Sequence, residues 1–514
     1  MNRVFASIVA ALAALLAGCT TLPPPEGRSE TMAFTDTAGT RLGRAVAPAV
    51  AAHPGKTGIH AMPSPHDALA ARVLLAAAAE KSIDAQYFIW NSDEVGNLLF
   101  EAVWRAAERG VRVRLLLDDL STAGLDPTIA ALDAHPNVEV RLYNPFVQRD
   151  ARLLGFISDF SRLNRRMHNK SFTVDNQVSV VGGRNIGDEY FGAGAGIAYA
   201  DLDVMTLGEA VREVSKEFDL YWNSLSAYPA AGLIGPGGPE TIAALQEKFA
   251  AIRVAPGSVQ YAEAVRTTPL IRDLLAHNLA MEWTDARVVY DNPAKTVEAD
   301  DRADVLLFPL LVQAVGRPQR ALDLVTPYFV PGKDGTGALA ALAGRGVRVR
   351  ILTNSLAACD VTAVHSGYAK RREELLRAGV RLFELKATAA RESRETALKF
   401  GSGSSSALHA KTFAVDGERI FVGSFNFDQR SALLNTEMGV VIESAALAHR
   451  LAGVFDATVP HIAYEVVLAP DGGGLVWIER TESGEKRYDT EPQTSWWLRR
   501  KVELLSVLPI EWLL

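Results

Sequence analysis

Two copies of one short pattern carry the chemistry of this 514-residue chain. His168-Asn169-Lys170 is followed by Asp175, and His409-Ala410-Lys411 by Asp416, so each copy reads H-x-K-x-x-x-x-D. Each runs on into a short stretch ending in Asn, Gly182-Gly183-Arg184-Asn185 and Gly423-Ser424-Phe425-Asn426. The two histidines are 241 residues apart, and so are the two asparagines, which is the register of a duplicated half-site. Two imidazoles, two ammonium groups and two amides are well suited to holding a phosphodiester between a nucleophile and an acid. One imidazole can attack phosphorus and split a hard displacement into two steps through a covalent phosphohistidine. The other protonates the departing alkoxide and then deprotonates the incoming alcohol or water. Lys170, Lys411, Asn185 and Asn426 supply donors to the non-bridging oxygens, the electrostatic contribution that usually matters most. The chain has neither H-E-x-x-H nor carboxylates and histidines at metal spacing, so no metal and no cofactor is expected.

The elements around these residues repeat as well. Met167 to Val174 reads as a strand, Asp175-Asn176 as a turn and Gln177 to Val181 as the return strand; Asp416-Gly417 is a strong hairpin turn in the second copy. On such a strand His168 and Lys170, two residues apart, share a face. Upstream, Ser82–Ile89 matches Ala321–Val330, with Tyr87 and Tyr328 again 241 residues apart. Helical stretches follow at Gly96–Arg109 and Thr336–Arg345. Then Arg109 to Asp118 (RGVRVRLLLD) matches Arg345 to Asn354 (RGVRVRILTN), and Val138–Tyr143 and Val380–Leu385 supply a further strand in each half. Strand, helix closing at Gly, strand is a βαβ unit, which implies parallel pairing. Repeats this long are duplicated domains and not a solenoid.

The doubled motif with its trailing G-[GS]-x-N resembles the phospholipase D superfamily over roughly residues 70 to 450. That resemblance implies an α/β chain of two tandem duplicated α/β/α sandwich domains, with mixed, largely parallel sheets and the active site at their interface. It further implies His168 as nucleophile and His409 as acid, within a catalytic set of His168, Lys170, Asp175, His409, Lys411 and Asp416. Family members also carry an acidic residue in the next strand that orients a histidine of its own or the other half. Asp203 (or Asp201) and Glu437 fit, and a carboxylate there would fix an imidazole tautomer. Asp175 and Asp416 also read simply as turn residues that stabilise their hairpins. Among other candidates, His135, His277 and His365 read as structural. Arg162, Arg165 and Arg166 form either a headgroup-attracting cluster near the pocket mouth or a solvated basic turn. The Gly/Ser run from Ser402 to Ser406 reads as a mobile loop over the site.

Placement follows from the ends. Met1 to Arg3 is positive, Val4 to Leu16 apolar, and Leu16-Ala17-Gly18-Cys19 closes a signal peptide of residues 1–18 that resembles the bacterial lipobox. Cys19 is then the lipidation site, with several acyl chains making a stable anchor. Thr20 after it leans towards the outer membrane. Residues 19–60, rich in Pro, Gly, Thr and Ala, read as a tether. Two domains, 61–270 and 271–465, and a C-terminal extension, 466–514, complete the chain. In the extension Trp496 and Trp497 beside Arg499, Arg500 and Lys501, with a Leu-rich end, suit a membrane interface; the alternative is a helix packed on the core. That run is too short to span a bilayer.

The net charge of −7 opposes non-specific nucleic-acid binding, and two cysteines offer no disulfide framework. Together the anchor, both motifs and the tail resemble the bacterial C-type cardiolipin synthases, although the pair of N-terminal transmembrane helices of better-known cardiolipin synthases is lacking. This resemblance implies transfer of a phosphatidyl group to the headgroup of phosphatidylglycerol, at the periplasmic side of the cell envelope, from phosphatidylglycerol or phosphatidylethanolamine. Two alternatives stand beside it: a phospholipase D-type hydrolase of lipid or, less readily, nucleic acid, and a non-catalytic lipid-binding lipoprotein. Intact His and Lys in both halves stand against the last.

Overall fold

The computed structural model describes residues 22, 28–193, 197–276, 278–297, 305–387, 405–470, 472–481 and 483–514. Cys19, its apolar run, His277 and residues 402–404 of the Gly/Ser run lie outside these. The first half contributes β1 (Thr57–Met62), β2 (Ser82–Tyr87), β3 (Arg112–Asp118), β4 (Val138–Tyr143), β5 (Ser171–Val174), β6 (Val178–Gly182), β7 (Ile197–Ala200), β8 (Asp203–Gly208), β9 (Ala227–Pro229) and β10 (Glu282–Thr284). All but β7 form one sheet in the order β10-β1-β8-β6-β5-β2-β3-β4-β9. The second half contributes β11 (Ala286–Tyr290), β12 (Ala321–Val325), β13 (Phe329–Val330), β14 (Arg348–Asn354), β15 (Arg381–Leu385), β16 (Ser405–Leu408), β17 (Lys411–Val415) and β18 (Arg419–Gly423). It continues with β19 (Phe427–Asp428), β20 (Met438–Ile442), β21 (Ala463–Leu468), β22 (Leu475–Thr481) and β23 (Gly484–Tyr488). Its large sheet is ordered β11-β20-β18-β17-β12-β14-β15-β21-β22-β23.

Six strands of one sheet, β8-β6-β5-β2-β3-β4, therefore have counterparts in β20-β18-β17-β12-β14-β15 of the other. In each large sheet parallel pairing is confined to the βαβ core, β2-β3-β4 and β12-β14-β15. The remaining ladders are antiparallel, because the motif hairpins and edge strands join that way. The sheets are mixed as expected, with parallel pairing a smaller share than the βαβ reading implied.

Local sequence explains the crossover helices. Helix Glu94–Glu108 begins where the Asp93 carboxylate accepts the Gly96 amide and ends before Gly110 at φ +92°, a conformation suited to Gly. Its Val95, Leu99, Phe100 and Val103 lie on the face buried in the first-half core. In the second half Gly346, at φ +86°, follows helix Gly332–Gly344 in the same way.

The structure corrects three boundaries. Residues 28–60 are no tether. Thr40 caps helix Arg41–Ala52, β1 lies inside the first sheet, and the Ala33 amide donates to Asp219 at 2.9 Å. The Ala- and Pro-rich composition hid a helix with Pro48 inside it. The first half also runs past residue 270: Leu270 is in its core and β10 pairs with β1, so the halves divide near Asp285. At the far end β21 crosses residue 465, and β22 and β23 extend the second sheet.

Between the halves lies a shared apolar core. Val181, Val204 and Val214 of the first half pack with Leu408, Val440 and Leu451 of the second. Separate cores fill the outer side of each sheet. Burying one face of both sheets against each other is what brings the two motif hairpins together.

Candidate active site

Each motif histidine is held by the opposite half. The His168 amide donates to the Thr436 carbonyl at 2.8 Å, and its Nδ1 lies 2.8 Å from Glu437 Oε2. Across the pseudo-twofold, the His409 amide donates to the Ala200 carbonyl at 2.9 Å, and its Nδ1 lies 2.7 Å from Asp201 Oδ2. Both carboxylates are fully buried. An ionised carboxylate only accepts, so while its partner is ionised each Nδ1 carries the proton and Nε2 keeps its lone pair. Each approach strand is fixed one residue earlier. Asp118 at the end of β3 accepts the Met167 amide at 2.7 Å, and Asn354 at the end of β14 exchanges two bonds with the Leu408 backbone at 2.9 and 3.0 Å.

The crossed pairing corrects one expected residue. Asp203 does not reach an imidazole; it is buried between Arg72, at 2.9 Å, and Arg184, at 3.5 Å. Its counterpart is Gly439, since Asp203 pairs with Gly182 and Gly439 with Gly423, and those glycines are 241 residues apart. The residues two positions before this pair are Asp201 and Glu437. That equivalence rests on strand register; at the 241-residue offset of the motifs Glu437 falls on Gly196, so spacing in the sequence does not select Asp201.

Asp175 and Asp416 stand apart from the chemistry. Each sits at positive φ in its turn, +52° and +57°. The Asp175 carboxylate accepts the amides of Glu80, Lys81 and Ser82, and that of Asp416 the amides of Gln319, Arg320 and Ala321. They clamp the starts of β2 and β12, at the far end of the hairpin from the histidine. The clamp also corrects the repeat: these strands match at an offset of 239, as do Asp84 and Asp323, which bind Arg114 and Arg350. Tyr87 and Tyr328 are consequently not equivalent. Tyr87 is buried against Arg72, whereas Tyr328 lies beyond its strand and donates to Asp360 at 2.9 Å.

The remaining polar groups divide unevenly. Lys170 Nζ donates to the His168 carbonyl at 2.6 Å; Lys411 Nζ donates to the His409 carbonyl at 2.5 Å and lies 3.0 and 3.1 Å from its ring nitrogens. Asn185 is committed to the Ile89 amide and the Tyr190 hydroxyl. Asn426 is buried and its carbonyl oxygen has no hydrogen-bond partner among the described residues, so this amide is the freer of the two to turn onto an anion. Asn169, between His168 and Lys170, accepts from Thr436 at 3.1 Å and donates to buried Glu217 at 2.6 Å; Ala410 occupies the matching position. Burial pushes Glu217 up to about 8.

The expected basic cluster is tied up internally. Arg162 binds Asp159 at 2.6 Å, Arg165 donates to the Lys295 carbonyl at 2.7 Å, and buried Arg166 binds Asp118 at 2.7 Å. These side chains hold the segment that delivers His168. His135 accepts the Asn137 amide at 3.1 Å, and His365 lies 2.9 Å from Glu491, so both are structural histidines. Among the described residues no group of three or more His, Cys, Asp or Glu side chains is placed to hold a metal.

Burial dominates the electrostatics. It holds the His168 imidazole well below its ordinary range, with Lys170 and Lys411 adding to the effect. His409 is pushed down to about 3 by burial and then Lys411, against the pull of Asp201. Burial also holds Lys170 well below its usual range and pushes Lys411 down to about 8. The two carboxylates differ. Burial pushes Glu437 up to about 7, only partly offset by Lys170. For Asp201 burial is outweighed by the hydrogen bond from His409 and the charge of Lys411, so it stays below the usual carboxylate range. Both rings are therefore neutral, one backed by a firmly ionised acid and one by an acid close to neutrality. Beside His409 lies a cavity of about 140 Å³, lined also by Tyr199, Tyr328, Asn354, Cys359 and Asp360.

Comparison with known proteins recovers the duplication. The profile of the family described as "Cardiolipin synthase, PLD-like domain" matches residues 74–222 and 311–459, one copy in each half. The chain is 46% identical over 474 residues to cardiolipin synthase C of Escherichia coli K12, covering 92% of this chain and 100% of that protein. It is 25% identical to a cardiolipin synthase of Oceanobacillus iheyensis over 74% of this chain and 64% of that one. Among solved structures, phosphatidylserine synthase of Haemophilus influenzae matches with a TM-score of 0.53 at 15% identity, over 89% of this chain and 95% of that one, a likeness of fold. With one family repeat in each half and a near-complete match to a cardiolipin synthase, the chain belongs to the PLD-like cardiolipin synthase family.

Proposed function

We propose that this protein is a phosphatidyltransferase that forms cardiolipin from phosphatidylglycerol and a second phospholipid. The observation that carries this reading is the pair of crossed imidazole–carboxylate contacts, His168–Glu437 and His409–Asp201, with two buried lysines beside them. In the first step His168 Nε2 attacks phosphorus, the bond to the headgroup oxygen breaks, and His409 Nε2 gives that oxygen its proton. The product is a phosphatidyl-histidine and a free alcohol, glycerol when the donor is phosphatidylglycerol. In the second step a hydroxyl of phosphatidylglycerol passes its proton to His409, its oxygen bonds phosphorus, and His168 departs. The lysines and Asn426 stabilise the oxygens of each transition state. A bound phosphodiester brings the negative charge that offsets Lys170 and Lys411, which lets His409 take up the proton it must donate. The ionised Asp201 supports that imidazolium better than near-neutral Glu437 supports one on His168. This difference favours His168 as nucleophile and His409 as acid and base.

Exposed apolar side chains support action at a membrane surface. Trp496, Trp497, Leu504 and Val507 are exposed on the C-terminal helix Trp496–Ser506 and just past it, while Val502 packs inward. A second set, Leu153, Leu154, Ile157 and Phe160, is exposed on the short helices just before His168, with Leu153 at 76%. Arg430 links the two segments, donating to the carbonyls of Asn164 at 2.9 Å and Leu513 at 3.2 Å. The basic Arg499, Arg500 and Lys501 on the helix suit anionic headgroups. No helix among the described residues is long and apolar enough to cross a membrane. Anchoring through acylated Cys19 on the periplasmic side, with Thr20 favouring the outer membrane, completes the placement; mass spectrometry of the mature N-terminus tests the anchor.

The test of the reaction is mass spectrometry of lipids after adding the protein to phosphatidylglycerol vesicles, with and without phosphatidylethanolamine. Cardiolipin is expected; phosphatidic acid alone makes the protein a hydrolase of the same fold. Replacing Leu153, Leu154 and Ile157 by Ser is expected to weaken sedimentation with vesicles about tenfold through lost apolar burial; unchanged binding removes that contact.

A further inference from the structure

The two flanks of the site are built differently, and one has room. On the first-half side the chain after β3 is tied down: Asp119 is buried against Arg149 at 2.8 Å, and Arg152 donates to its carbonyl at 2.5 Å. On the second-half side the chain after β14 stands off, leaving the cavity of about 140 Å³ that His409 borders. A water molecule occupies about 30 Å³ of liquid, so the space exceeds what a single hydrolytic water needs.

We propose that this cavity is the subsite for the hydroxylated headgroup of the acceptor lipid, recognised by Asp360 and Tyr328. The inference rests on the transferase reading above. Asp360 is the only carboxylate lining the space among the described residues, and both its oxygens lie 2.9 Å from the Tyr328 hydroxyl. Four lone-pair positions on the carboxylate accept that one proton and leave capacity for further donors. A polyol is a set of donors in search of acceptors, and the Tyr328 oxygen offers one more. The negative charge disfavours a phosphate in the cavity, so an entering phosphatidylglycerol would place its hydroxyls there and its phosphate towards the lysines. Asn354 cannot compete for the ligand, since its amide is spent on Leu408. Burial pushes the Cys359 thiol up to about 12, so it offers no rival nucleophile. A hydroxyl held here lies next to the imidazole that must take its proton. The proton passes to His409 Nε2, the oxygen–phosphorus bond forms, and the phosphorus–nitrogen bond to His168 breaks.

Vesicles of phosphatidylglycerol doped with phosphatidyl-p-nitrophenol test this, because nitrophenol release needs no hydroxylated subsite. Asp360→Asn is expected to lower the ratio of cardiolipin to phosphatidic acid about tenfold, and Tyr328→Phe about threefold, by loss of one charged or one neutral hydrogen bond. Nitrophenol release is expected to stay within about twofold of the wild type, the range of a remote change. An unchanged product ratio, or nitrophenol release that falls in step with cardiolipin, overturns the subsite. A wild type that makes only phosphatidic acid removes the transferase reading itself, and the subsite with it.

Discussion

The two half-sites share a backbone and differ in their surroundings. His168 is enclosed: Asn169 beside it bonds Glu217 and Thr436, and its partner carboxylate is pushed up to about 7. His409 is more accessible. Ala410 replaces the Asn, a cavity adjoins the ring, and Asp201 stays ionised. A duplicated scaffold supplies two equal imidazoles, and different surroundings then turn one towards bonding phosphorus and the other towards moving protons. Division of labour here comes from desolvation and partner charge, because residue type is the same on both sides.

The largest effects should separate the two rings. Both His168→Ala and His409→Ala are expected to reduce cardiolipin formation by more than about 10⁴-fold. With phosphatidyl-p-nitrophenol, whose leaving group needs no proton, only His409→Ala should accumulate protein-bound phosphatidyl groups, detectable by intact mass. Accumulation in His168→Ala instead would reverse the assignment.

Next come the carboxylates. Glu437→Gln and Asp201→Asn keep shape but lose charge, and each is expected to cost about 10³-fold in turnover, as a histidine loses its orienting acid. The pH profile sharpens the contrast. Below about 7 Glu437 gains a proton and stops holding the His168 tautomer, so the rate falls on the acid side. Above about 8 Lys411 loses its proton and a phosphate-binding charge, so the rate falls on the alkaline side. A bell between those limits is expected, with Glu437→Gln losing the acid limb and Lys411→Arg shifting the alkaline limb upwards. A wild-type rate flat from pH 6 to 9 would discard these assignments.

The smallest effects concern the clamps and should appear in stability more than in chemistry. Asp175 is fully buried, and Asp175→Ala strands three backbone amides at an expected cost of about 3 kcal/mol. Asp416 lies nearer the surface, where water can reach the freed amides of Asp416→Ala, so about 1 kcal/mol is expected. Chemical denaturation checks both. Larger losses in turnover than in stability would return these residues to the catalytic set.

The amino-acid order alone determined the duplication, the histidine and lysine pairs and the βαβ cores, because repeated spacing and strand alternation are local properties. It also placed Glu437 beside a motif. It did not determine which acid serves which ring: Asp201 and Asp203 are the same residue type two positions apart, and only the packing of the sheets carries Asp201 to His409, 208 residues away. Residues 28–60 escaped because Ala, Pro and Gly read the same in a linker and in a capped helix until Asp219 and the first sheet accept them. The unequal environments of the two imidazoles, set by Glu217, the cavity and two differently charged acids, belong wholly to the tertiary structure, since desolvation depends on what is packed around a group and not on what precedes it in the chain.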